Sequence, residues 1–290
     1  INGQKAGRHL GGYLPFSIDI TEYLREENNY VTVKVRDFTD TSYHSRGKQK
    51  LKRGGMFYTA QSGIWQTVWT EQVPENYIAN VKITPLYDHA AVMIQVDEAC
   101  PVKTVEQEQE KAIEYEVEIT ARKMWPVRAK GRIGTPLVVK LPYMRSWSPE
   151  DPFLYDVSIT MGDDKVDSYF AMRKIEVKND DKGIPRMYLN NEPYFQKGVL
   201  DQGYWPDGLY TAPTDEAMIY DIQKMKDLGF NMIRKHIKIE PQRWYYHCDR
   251  IGMLVWQDMV NGGREYKSWY VTYFATAMQL FHIKTKDNKL

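Results

Sequence analysis

The sequence predicts a multidomain chain, β in its first two thirds and α/β in its last third, ending in the first part of a (β/α)8 barrel. Three observations carry this. Strict apolar–polar alternation recurs in short runs before residue 178, the period-2 signature of half-buried strands. From Tyr194 the pattern becomes strand, helix, strand, helix, strand with short connections, which argues for parallel strands joined by crossovers. Successive strands of that last segment end on charged or polar residues, as in a barrel whose active site lies at the carboxyl ends of its strands.

The 290 residues are enough for two or three domains. Lysine and arginine number 39 against 38 acidic residues, so no charge excess argues for a nucleic-acid or membrane partner. No apolar run approaches the ~20 residues of a membrane-spanning helix. The 8 Trp and 21 Tyr fit large cores and strand faces, and flat rings of this kind also stack on pyranose faces. Of the two cysteines, Cys248 falls on the apolar side of a helix and is expected as a buried free thiol. A disulfide with Cys100 would have to join two different domains. The chain begins Ile1-Asn2-Gly3, without an initiator Met or a signal-peptide pattern, and is expected to be a piece of a longer protein. Its compartment is not specified. A homo-oligomer is compatible with the sequence, and nothing in it specifies one.

Residues 1–75 read as the first β domain. Tyr13–Ile20 and Tyr30–Val35 alternate, and Ser62–Trp69 is a turn followed by an aromatic strand. The basic run Arg46–Arg53 has no wider basic surface around it and reads as a solvated loop. Val73-Pro74-Glu75 marks a boundary. Residues 76–178 hold about seven short strands, which suits an immunoglobulin-like sandwich. Val81, Ile83, Val92, Ile94 and Val96 alternate with polar residues. Glu114, Glu116 and Glu118 alternate with Tyr115, Val117 and Ile119, so the glutamates share the outward face of one strand rather than a metal site. Leu137–Leu141, Leu154–Thr160 and Asp167–Val177 complete the set, with Trp147–Pro152 as a rigid loop.

Residues 179–290 form the third unit. Tyr194–Leu200 reads as a strand ending at Asp201. Thr214 is a good N-cap with Asp215 and Glu216 in the first turn, Met218, Ile222, Met225 and Leu228 share one helix face, and Gly229 stops the helix. Met232–Arg234 is a strand running to His236. Pro241 opens a second helix carrying Trp244, Cys248 and Ile251, and Gly252 ends it. Met253–Trp256 is the third strand, ending at Gln257 and Asp258. Asn261–Gly263 is a loop, and Ser268 to about Leu280 opens a further helix.

Particular phrases along the whole chain, in collinear order, resemble family 2 of the glycoside hydrolases, the β-galactosidase and β-glucuronidase group. They are Ile1-Asn2-Gly3-Gln4 through Asp19-Ile20-Thr21, Ser62-Gly63-Ile64-Trp65, Trp147-Ser148-Pro149-Glu150, Phe170-Ala171-Met172-Arg173, Leu189-Asn190-Asn191-Glu192-Pro193, and Asn231-Met232-Ile233-Arg234-Lys235-His236. The resemblance implies a sugar-binding, jelly-roll-like sandwich over 1–75, an immunoglobulin-like sandwich over 76–178, and the N-terminal part of a TIM-barrel catalytic domain over 179–290. It also implies a retaining O-glycosyl hydrolase acting on β-glycosides, with two glutamates on later barrel strands. The acid/base belongs to an Asn-Glu pair after the fourth strand. No such pair follows Asp258, and Asn191-Glu192 reads as a turn, so neither catalytic glutamate is assigned in this chain.

The resemblance carries over a supporting wall. Arg234 would orient the nucleophile and His236 would bind substrate or shape the pocket. Asp201, Tyr204 and Trp205, which follow the first barrel strand, are candidates to line the sugar site. Asp258 matches an acidic position that helps bind a cation in some members. Gln257 stands where those members have Asp, so no metal and no cofactor is expected. Galactosidase-type members reach the site with an acidic residue before Ser62. This chain has Gly55-Met56-Phe57-Tyr58 there, which argues against galactose. The alternative is a non-catalytic carbohydrate-binding or scaffold protein of the same descent. A stub of three strands would leave such a protein an exposed edge and unburied apolar faces.

Overall fold

The computed structural model describes residues 1–41, 44–99, 113–122 and 124–260. Cys100, the Asn261–Gly263 loop and the helix expected at Ser268–Leu280 lie outside the described residues.

The middle of the chain forms a β-sandwich. One sheet pairs β3 (Tyr77–Leu86), β4 (Ala91–Ala99) and β7 (Leu137–Lys140) in the order β3-β4-β7. The other has the order β6-β5-β8-β9, from β5 (Glu114–Thr120), β6 (Val127–Arg132), β8 (Tyr155–Met161) and β9 (Asp164–Phe170). All their pairings are antiparallel. The alternation read from the sequence sorts the faces: Val81, Val92, Ile94, Val117, Ile119 and Ile159 point into one buried core. Each such fully buried side chain contributes roughly 1.5–3 kcal/mol against the cost of ordering the chain. Glu114, Glu116 and Glu118 lie opposite Arg132, Lys130 and Arg128 on the facing strand, the outward charge ladder expected of them.

The expected strand Asp167–Val177 divides in two. β9 stops at Phe170, and Ala171, Met172 and Arg173 turn inward and are buried. The chain then re-enters a different sheet as β10 (Ile175–Asn179), paired with β11 (Pro185–Leu189) and that with β12 (Glu192–Pro193). Asn190 and Asn191, both at positive φ, form the two-residue hairpin turn between β11 and β12, which explains that Asn-Glu pair.

The last described unit is a parallel three-stranded sheet in the order β13-β14-β15, from β13 (Gly198–Asp201), β14 (Met232–Lys235) and β15 (Leu254–Gln257). Helix α1 (Asp215–Asp227) joins the first two and α2 (Gln242–Ile251) the last two. The strand expected from Tyr194 is shorter than the apolar run: Tyr194 still bonds back to Met187 beside β12, and pairing with β14 begins only at Lys197 and Gly198. Thr214 caps α1 by accepting the Ala217 N–H at 3.2 Å. Both helices lie on one face, where Met218, Ile222, Ile233, Trp244 and Cys248 make a closed core; Cys248 is a buried free thiol.

A buried clamp ties this unit to the sandwich. Arg173 meets Asp249 of α2 at 2.5 Å and lies over the Trp147 ring, whose Nε1–H donates to the Asp249 carbonyl at 2.7 Å. Gly252 ends α2 at φ +87, and a Cβ there would sit 2.5 Å from the Pro149 carbonyl oxygen, so both backbone conformation and the close sandwich loop require glycine.

The N-terminal 75 residues differ from expectation. Tyr13–Ile20, Tyr30–Val35 and Ser62–Trp69 form no strand. The regular pairing found there is parallel, between β1 (Gln49–Lys50) and β2 (Tyr58–Thr59). Alternation fixes which side chains share a face of an extended chain; a strand also needs a second backbone about 4.8 Å away, and these segments have none among the described residues. Their apolar side chains, Phe16, Val31 and Val33 among them, are exposed. The segment is nonetheless anchored on the third unit. Tyr13 and Tyr210 share a hydroxyl hydrogen bond at 3.0 Å, the Tyr210 N–H donates to Gln61 at 2.8 Å, and Thr211 donates to the Trp65 carbonyl at 2.8 Å.

Removing one partner of the Arg173–Asp249 pair leaves the other charge buried. Arg173→Met is expected to cost about 3–5 kcal/mol in urea unfolding, and Arg173→Met with Asp249→Leu to recover part of it.

Candidate functional site

The register of the three parallel strands sets the geometry. Gly198, Met232 and Leu254 are aligned, then, two residues on, Leu200, Arg234 and Trp256, and Asp201, Lys235 and Gln257 occupy the next rung. Ladder bonds continue one residue further, from the His236 N–H to the Asp201 carbonyl at 2.7 Å and from the Asp258 N–H to the Lys235 carbonyl at 3.0 Å. Because side chains alternate, Leu200, Arg234 and Trp256, followed by Gln202, His236 and Asp258, face away from the helices. Asp201, Lys235 and Gln257 face toward them.

On the face away from the helices the polar groups converge. Arg234 Nε contacts both Asp258 carboxylate oxygens at 3.1 Å, and a terminal guanidinium nitrogen lies 3.0 Å from Oδ2. This fork-like pairing fixes the carboxylate in plane and orientation. His236 Nε2 is 3.7 Å from the same Oδ2, and its Nδ1 is 3.4 Å from the Gln202 amide nitrogen. Tyr58, from β2, donates to the Gln202 carbonyl oxygen at 2.7 Å. Burial lowers the His236 pKa below the usual histidine value, the Asp258 carboxylate opposes this, and the Lys48 and Arg234 charges add to the lowering.

On the helix side a second network is buried. Lys235 Nζ lies 2.6 Å from Asp201 and 2.9 Å from Glu240, above the Trp244 ring. Lys238 Nζ lies 3.0 Å from the same Glu240 oxygen and donates to the Gly203 and Tyr210 carbonyls at 2.5 and 2.7 Å. Burial works to discharge Lys235, but Glu240 and Asp201 outweigh it and hold the ammonium above the ordinary lysine range. For Lys238 burial prevails and lowers the value. Ile237, between His236 and Lys238, has φ +48, a conformation that costs a β-branched residue about 1–3 kcal/mol. The turn sends the two buried lysines to one carboxylate while leaving His236 on the other face.

Of the residues singled out in the sequence, Arg234, His236 and Asp258 therefore come together. Asp201 is separated from them by the sheet and pairs with Lys235. Tyr204 stacks on Tyr58 at 3.8 Å between ring centres, beside Gln202. Trp205 packs against the helix-side core and bridges Leu209, so it does not join the polar row. Sequence reading missed Gln202 and Tyr58. Gln202 was within reach: it follows Leu200 by two, on the face of Arg234 once the strands are in register. Tyr58 stands in the stretch 55–58 that the resemblance sets at the site, but that it is the residue to arrive depends on tertiary docking of the N-terminal segment. Among the described residues no group of three metal-ligating side chains occurs, and no helix is long and apolar enough to cross a membrane.

Residues 76–173 match the family described as Glycosyl hydrolases family 2. A protein named putative beta-glucuronidase from Formosa agariphila is 27% identical over 286 residues, covering 93% of this chain and 32% of its own length. A beta-galactosidase from Oenococcus oeni is 28% identical over 278 residues, covering 88% of this chain and 25% of its own. Among solved structures, Faecalibacterium prausnitzii beta-glucuronidase superposes with a TM-score of 0.52 at 22% identity, over 63% of this chain and 28% of that one. That likeness concerns the fold, a β-rich chain with few helices.

Two outcomes test this geometry. Gly203 has φ +65, and a Cβ there would sit 2.4 Å from Glu240 Oε1 and 2.7 Å from Lys238 Cδ. Gly203→Ala is therefore expected to destabilise the fold by about 1–3 kcal/mol in urea unfolding. The second concerns pH. Burial lowers the pKa of both His236 and His247 below 6.5, so below that pH the unfolded chain binds protons the folded chain refuses. Their contribution is complete above about pH 6.5 and is lost as the pH falls through the lowered values. His247→Gln is expected to flatten the fall of the urea midpoint below about pH 6.5.

The chain is similar to beta-glucuronidases and beta-galactosidases across about a third or less of their length, and it resembles the glycosyl hydrolases of family 2 in sequence and in fold.

Proposed function

We propose that these residues belong to an O-glycosyl hydrolase that acts on β-glycosides of carbohydrates by retaining double displacement. In this reading residues 1–75 derive from a sugar-binding jelly-roll-like domain, 76–178 are an immunoglobulin-like sandwich, and 179–290 open a TIM barrel. The two catalytic glutamates come from barrel strands outside this chain. The observation that carries the reading is the row Gln202, His236 and Asp258 with Arg234, set at the carboxyl ends of three parallel strands on the face opposite their helices. In a closed barrel that face is the interior.

The chemistry needs two carboxylic acids about 5–5.5 Å apart, one to protonate the leaving oxygen and one to attack the anomeric carbon. The wall described here would serve them. Arg234, held by Asp258, supplies a fixed positive charge that orients the nucleophilic carboxylate and keeps it ionised. His236 presents a neutral ring to a sugar hydroxyl, and Tyr58 with Tyr204 offers a stacked aromatic edge to the sugar.

The 290-residue chain alone is expected to show no turnover of aryl β-glycosides. Joined to the remaining strands of a barrel, the same residues are expected to give hydrolysis with retained anomeric configuration and trapping by a 2-fluoro glycoside. Inversion, or hydrolysis by the 290-residue chain itself, would refute the assignment.

A further inference from the structure

The His236 ring sits between two polar partners, Gln202 at Nδ1 and Asp258 at Nε2. Gln202 presents its amide to Nδ1 at 3.4 Å. An amide has two unlike ends, and nothing about the ring alone decides which one faces it. Here the nitrogen faces the ring and the oxygen accepts the Tyr58 hydroxyl at 2.7 Å. A phenol can also accept, so Tyr58 suits this orientation without imposing it; the Asp258 carboxylate, which can only accept, is the partner that favours a hydrogen on Nε2. An N–H pointing at Nδ1 requires a lone pair there. The neutral ring must then carry its hydrogen on Nε2, the nitrogen that faces Asp258 Oδ2 at 3.7 Å, a carboxylate already gripped by Arg234.

We propose that Asp258 and Gln202 are positioning residues that hold His236 in the Nε2–H tautomer, with Tyr58 of the N-terminal segment closing the far end of the row. The order runs from Tyr58 O–H to the Gln202 carbonyl, from the Gln202 N–H to Nδ1, and from Nε2–H toward Asp258. The groups around the ring agree with a neutral state: the Lys48 and Arg234 charges and burial disfavour a second proton, and Asp258 alone favours it. Tyr58 is itself fixed, since its backbone N–H donates to the Lys48 carbonyl at 2.8 Å and its ring stacks on Tyr204. The consequence for the pocket is directional. Nδ1 is occupied, and what the ring offers a ligand is an N–H donor shared with Asp258. A substrate hydroxyl would therefore meet His236 as an acceptor. That last step rests on the glycosidase reading; the tautomer does not.

The test uses the 290-residue chain and long-range proton–nitrogen correlation spectra of its six histidines, with the His236 signals assigned by difference against His236→Asn. The wild-type ring is expected as Nε2–H alone. Asp258→Asn replaces the acceptor-only partner by an amide that can present either end and should give a mixture of tautomers. Gln202→Glu places a carboxylate at Nδ1 and should move the proton there and raise the His236 pKa, a change that a merely structural role would not produce. A wild-type ring protonated on Nδ1 would overturn the proposal. So would an Asp258→Asn variant that keeps the wild-type tautomer. Because no substrate is involved, either failure leaves the glycosidase assignment to its own test.

Discussion

The constraint on which the rest depends is the two-residue period of three short parallel strands held in register. That period sends Arg234 and His236 to one side of the sheet and Lys235 to the other, although the three are consecutive. One side gathers Asp258, Gln202 and the ring of His236. The other gathers Asp201, Glu240 and Lys238. A one-residue slip of β14 would send Arg234 and His236 to the helix side and Lys235 to the open wall, away from their partners. Burial, ion pairing and the strained turn at Ile237 all follow from keeping the sets apart.

The helix-side network gives the wall its rigidity. Two lysines buried on one glutamate are costly unless every donor finds a partner, and here the Asp201 carboxylate, the Gly203 and Tyr210 carbonyls and the face of the Trp244 ring take the remaining hydrogens. Asp201 ends β13, and Gly203 and Tyr210 belong to the loop that follows it. Holding that loop fixes Gln202, and Gln202 meets His236. The sandwich contributes from the other end through Arg173, Trp147 and Asp249, which seat α2 and so the strand that carries Asp258. The resulting chain of contacts runs from the core of one domain to the polar row of another.

Much of this was legible in the sequence, and the limits have physical causes. The helices were readable because Thr214, Gly229 and Gly252 are local signals that need no tertiary partner. Strands of the sandwich were readable because one face of each is buried, so alternation reports a real core. Tyr13–Ile20 and Tyr30–Val35 alternate as clearly yet form no strand among the described residues; pattern alone does not supply a neighbouring backbone. At the site, Arg234, His236 and Asp258 followed from strand ends. Asp201 was placed with them because position at a strand end was weighed without the face it points to. Lys235 and Lys238 were passed over because charged residues are expected at the surface. Tyr58 depended on a contact 144 residues away in sequence.

In the proposed function the two faces divide labour, the Arg234 side toward substrate and the Lys235 side toward the fold. The most direct measurement is a paired comparison in a protein where these residues are joined to a complete barrel. Arg234→Lys and Lys235→Met would each be characterised by kcat/KM and by thermal midpoint. The account predicts that Arg234→Lys lowers kcat/KM while leaving the midpoint nearly unchanged, and that Lys235→Met lowers the midpoint first. The reverse pattern, with Lys235→Met stable but inactive and Arg234→Lys active but unstable, would contradict it.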